Sequence, residues 1–98
     1  MILVRNTFRV KFGKMKDALA LMKEGEKAMK AITQKPQRLL TDVTGEFYTM
    51  VLEIEYENLA EFEKAGTEMM KAPAWRDWYQ KVGALIETGR REIYTVVA

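Results

Sequence analysis

Cysteine, histidine and serine are all missing from this 98-residue chain. Without cysteine no disulfide framework can form, and a reducing compartment suits the chain, so cytoplasmic residence is the expectation. Without either histidine or cysteine, zinc and most transition metals lose their preferred ligands, and no metal site is expected. Ser–His and Cys–His nucleophile pairs are excluded, as is an imidazole proton shuttle. Any chemistry must run on Asp, Glu, Lys, Arg, Tyr, Trp, Asn or Thr, and nothing in the sequence asks for a cofactor. An excess of one charge is lacking too. Sixteen Lys and Arg face 14 Asp and Glu, for a net charge of +2, too slight to argue for nucleic acid or an acidic membrane surface. There is no long hydrophobic run. Residues 1–4 are apolar but stop at Arg5, short of a signal segment or a membrane span, so neither is expected. What remains is 48% hydrophobic and 31% charged, the balance of a soluble chain long enough for one domain, residues 1–98.

The hydrophobic pattern supplies the elements. Over residues 2–12, Ile2, Val4, Phe8, Val10 and Phe12 alternate with Leu3, Arg5, Thr7, Arg9 and Lys11, which predicts a strand ended by Gly13. Over 14–32, Met15, Ala18, Leu19, Met22, Met29 and Ile32 recur at helical spacing. The three methionines at heptad intervals read as padding between helix and sheet. Strands are expected at 37–43 and 46–56 around a Thr44-Gly45 turn. The second has apolar residues on both faces, as a central strand does. Asn58 and Glu61 have the spacing of a helix-capping pair, and Leu59, Phe62, Gly66 and Met69 define that helix's inner face. Pro73 opens a fresh helix at a position that costs no hydrogen bond. Its apolar stripe is Trp75, Trp78, Tyr79, Val82 and Ile86, with Gly89 as the stop. Residues 91–97 make the last strand. The order β-α-β-β-α(α)-β is the ferredoxin-like plan of the α+β class, an antiparallel sheet with helices on one face.

The opening MILVRNTFRVKFGK resembles the first strand of the dimeric α+β barrel superfamily, with its antibiotic-biosynthesis-monooxygenase-like and heme-degrading groups. The stretch NLAEFEKAGTEMMKAPAWRDWYQKV is similar to the NIPSNAP-type branch. The resemblance implies a homodimer in which two sheets meet face to face as a barrel, each protomer keeping a pocket between its own sheet and helices. The pattern agrees, because Leu3, Leu40, Phe47 and Val51 fall on the face away from the helices, an apolar surface that a second copy would cover. Arg5, Arg9, Asp42 and Glu53 also belong there, to pair across the interface or to face solvent.

Asn6 falls among apolar residues on the helix-facing side of the first strand. A buried amide without partners costs roughly 1–3 kcal/mol, so it needs a protein partner or a ligand. In the heme-degrading and quinone-forming relatives an Asn at this place helps form the pocket beside a Trp. The resemblance therefore implies a site of Asn6, Tyr48, Trp75, Trp78 and Tyr79 for a small apolar or aromatic ligand. If the site is catalytic, the candidates are Asn6, Trp75 and Tyr79, acting in cofactor-independent oxygenation of a phenolic or quinone-type substrate. The heme-ligating His of the heme-degrading relatives has no counterpart. A ligand-binding dimer without catalysis asks least of the sequence. RNA recognition is disfavoured, because the run Thr44-Gly45-Glu46-Phe47-Tyr48 has no basic residue before the glycine and places Glu46 against phosphate. A metal-dependent hydrolase on Asp42, Glu53 and Glu55 is geometrically conceivable, but strand carboxylates usually only solubilise.

Overall fold

The structure is a computed structural model and describes residues 1–30 and 35–98. Ile32, assigned above to the first helix, lies outside the described residues. Seven elements follow in order: β1 (Ile2–Val10), α1 (Met15–Met29), β2 (Gln37–Thr41), β3 (Thr49–Tyr56), α2 (Leu59–Lys71), α3 (Pro73–Gly83) and β4 (Ile86–Thr95). The four strands form one antiparallel sheet in the order β2-β3-β1-β4. This is the expected ferredoxin-like α+β fold, with β3 central as its two apolar faces require.

The alternation in β1 sets the layers. Val4 and Val10 are almost fully buried under the helices. Leu3, Arg5, Thr7 and Arg9 turn to the other side, opposite Glu55, Glu53, Val51 and Thr49 of β3. The helix-side core is two clusters. In one, Val10, Ala18, Met22 and Met50 are packed with Trp78, Leu85 and Ile86. In the other, Val4, Ile54 and Tyr56 meet Phe62 and Ala65 of α2. Met22 and Met29 are buried and Met15 half-buried, as the reading of the methionines as padding requires.

Local signals place the helix ends. Asn58 Oδ1 accepts from the Glu61 backbone N–H at 2.9 Å, and Glu61 reaches back to the Glu57 N–H at 3.0 Å. Pro73 begins α3 directly after Ala72, which is the cap residue of both α2 and α3. Three expectations need correction. α3 stops at Gly83, not Gly89, and residues 86–89 belong to β4, because Val10, Arg9 and Phe8 of β1 pair with Ile86, Thr88 and Gly89. Ile86 therefore packs into the core from a strand, and pairing overrides a stripe that looked helical. β1 ends at Val10, leaving Phe12 70% exposed in the turn beyond it. Leu59, placed on the inner face of α2, is exposed, while Ala65 packs inward.

Candidate functional site

Between the two core clusters, on the helix side of the sheet, lies a polar seam. Asn6 pairs in register with Leu52 of β3 and Arg91 of β4, and Leu52 packs against both clusters. Strand alternation puts Asn6, Leu52 and Arg91 on one face, as period two demands. Arg91 Nε donates to Asn6 Oδ1 at 2.7 Å. The guanidinium carbon sits 5.1 Å from the centre of the Phe62 ring, within cation–π range. Asn6 has a charged partner, but Asn6 is half-buried and Arg91 is exposed, so the amide expected to be buried lies at the surface of the helix side.

Arg91 makes no ion pair among the described residues. One of its five N–H donors is spent on Asn6. Its charge opposes the burial that pushes the nearby Tyr56 phenol up. An oriented guanidinium beside an amide, with an aromatic ring on one side, can hold an oxyanion or a carboxylate. Arg91 lies inside the strand expected at 91–97 but escaped the sequence reading, which considered only the apolar residues of that strand from Ile93 onward. Stepping back two residues from Ile93 places it beside Asn6.

The other candidates occupy separate neighbourhoods. Trp78 lies against Gly25 of α1 and donates its indole N–H to the Leu21 carbonyl. Trp75 stacks on Tyr79, with ring centres 4.9 Å apart and planes at 24°, and Tyr79 is 58% exposed. Tyr48 packs edge-on against Phe12 at the end of the sheet. The structure places Asn6 where the alternation puts it. It does not gather Asn6, Tyr48, Trp75, Trp78 and Tyr79 around one point.

The opposite sheet face carries Leu3, Leu40, Val51 and Tyr94 with a charged lattice. Glu53 is buried there, accepting from Arg5 Nε at 2.8 Å and from Arg38 Nη2 at 2.7 Å. The hydrogen bonds from Arg38 and then Arg5 outweigh burial and hold its carboxyl below the usual range. Arg5 also lies over the Tyr94 ring, whose hydroxyl donates to Glu92. Arg9 pairs with Glu46 at 3.0 Å. Arg5, Arg9 and Glu53, expected on this face, therefore have charged partners within the chain. Asp42 accepts from the Thr49 N–H at 2.9 Å, and Phe47 leaves the sheet for the β2–β3 connection. No group of three or more acidic side chains able to hold a metal ion occurs among the described residues, and no described helix is long and apolar enough to cross a membrane.

The fold has close counterparts. An uncharacterised NIPSNAP domain protein from Burkholderia xenovorans superposes with a TM-score of 0.89 at 18% identity, covering 100% of this chain and 96% of the other. A putative antibiotic biosynthesis monooxygenase from Nitrosomonas europaea gives 0.76 at 13% identity, covering 100% of both chains. SnoaB, a cofactor-independent oxygenase from Streptomyces nogalater, gives 0.73 at 14% identity, covering 97% of this chain and 91% of that one. No curated protein matches the sequence. The sequence profile of the NIPSNAP family matches residues 5–98, nearly the whole chain, and the protein belongs to that family.

Proposed function

We propose that the protein binds a small aromatic molecule carrying an acidic oxygen, on the helix side of its sheet, as one half of a homodimer joined through the opposite sheet faces. The reading rests above all on Arg91, an unpaired guanidinium held by Asn6 beneath Phe62 at the seam between two apolar clusters. A carboxylate or phenolate would complete the charge, and Phe62 with the flanking core would take the ring. The dimer is supported by the shape of the chain. It measures 36 × 35 × 18 Å, one sheet with one helix layer, and leaves Leu40 and Tyr94 about two-fifths exposed on the bare side. A cytoplasmic setting accords with a chain free of cysteine.

Catalysis at this place is the second reading, favoured by the likeness of the fold to a cofactor-independent oxygenase. Asn6 and Arg91 would hold the oxygen of an ionised phenol while dioxygen, the oxidant, adds at a ring carbon; the O–O bond and that carbon's C–H bond then break, one oxygen atom staying as a quinone carbonyl and the other leaving as water.

Calorimetric titration with 2-naphthoate tests the binding reading. The natural chain should bind saturably, and Arg91→Ala should weaken binding about tenfold or more, the scale of one charge-assisted hydrogen bond. Equal affinity in the variant would remove the proposal. Oxygen uptake with 1-naphthol or a hydroxyquinone addresses catalysis separately.

A further inference from the structure

The end of the sheet remote from the chain's first residue holds a concavity of about 350 Å³, lined by Phe12, Met15, Thr41, Asp42, Phe47 and Tyr48. Its walls are aromatic. Phe12 meets Tyr48 with ring centres 4.7 Å apart and planes at 61°, and meets Phe47 at 6.3 Å and 76°. Each edge-to-face contact covers one face of one ring, and Tyr48 also packs against the core, so the faces left to line a box come mainly from Phe12 and Phe47. Phe12 and Phe47 are about 70% exposed, an unusual position for two phenylalanines with no function.

Asp42 supplies the only charged side chain among the described residues of this lining. One of its oxygens takes the Thr49 N–H, and the carboxylate has no ion pair among the described residues. Tyr48 is the one described non-glycine residue with positive φ, at 61°, a conformation that an aromatic residue adopts only when its surroundings impose it. Here the Tyr48 carbonyl accepts from the Val10 N–H at 2.8 Å, which ties its backbone to the end of β1, while its ring packs against the core beside Phe12.

Aromatic walls, a thioether and one carboxylate without an ion pair form the environment that attracts an organic cation. Ring quadrupoles favour a diffuse positive charge, and a quaternary ammonium pays little to leave water for them. We infer that Phe12, Phe47 and Tyr48 form an aromatic cage, closed at its rim by Asp42, for a methylated ammonium group. This site is separate from the Asn6–Arg91 seam and does not depend on it.

Titration with choline, followed through the ring proton resonances of the three aromatics, tests the inference. Its neutral isostere, 3,3-dimethylbutan-1-ol, is the control. Choline should bind at least about tenfold more tightly than the isostere, and Phe47→Leu and Asp42→Asn should each lower its affinity by roughly three- to tenfold. Both substitutions preserve the fold, since Phe47 is exposed and the Asn oxygen still accepts from Thr49. Equal binding of the isostere, or no saturable choline binding at tens of millimolar, would overturn the cage. A trimethyllysine peptide beside its unmethylated twin names the source. Tighter binding of the methylated peptide than of choline points to a protein tail, and equal affinity points to a free quaternary amine. Preference for the unmethylated twin contradicts the site.

Discussion

A methyl group added at Gly25 would overlap the Trp78 indole, so this glycine gives the Trp78 ring of α3 room against α1. Gly25→Ala should lower stability by about 1–3 kcal/mol through overpacking, although alanine improves helix propensity by roughly 1 kcal/mol. Thermal unfolding of the variant checks the sign. Asn6 shows what a single residue reveals in sequence. Its placement on the helix side followed from alternation alone, as did its need for a partner. The partner's identity did not, because the choice of Arg91 depends on the pairing of β4 with β1, which joins residues 85 positions apart. Asn6→Ala frees the Arg91 side chain, so affinity for 2-naphthoate should fall severalfold while the fold survives.

At the scale of elements, ends carried by a local motif were legible and ends set by tertiary pairing were not. Asn58 with Glu61, and Pro73 after Ala72, mark helix starts through interactions within four residues. Asn58→Ala should therefore cost about 1 kcal/mol, measurable in urea unfolding. The boundary between α3 and β4 has no such signal. Ile86 fits the helical stripe of α3, and Gly89 looks like a helix stop. Gly89 instead faces Phe8 across the sheet, where a Cβ would lie 3.1 Å from that ring, so it gives Phe8 room.

Across the whole molecule, one sheet face is covered by helices and the other is bare. Sedimentation at micromolar concentration should give twice the chain mass, and Leu40→Glu should shift it toward the single chain by placing a carboxylate on the apolar bare face. Glu53 links this face to pH. Its carboxyl titrates below the ordinary value near 4.5 because Arg38 and Arg5 hydrogen-bond the ionised form. The stability it contributes is present above that ordinary value and is lost as pH falls through its depressed folded-state value. Glu53→Gln should flatten this acid limb of the stability profile and cost about 1–3 kcal/mol at neutral pH. The most direct measurement of the account is a crystal structure of the protein grown with 2-naphthoate. The account predicts a two-fold dimer with the Leu40 and Val51 faces buried together and, in each protomer, the ligand carboxylate on Arg91 and Asn6 with its rings against Phe62. Ligand bound elsewhere while the Arg91 guanidinium faces only solvent would contradict it.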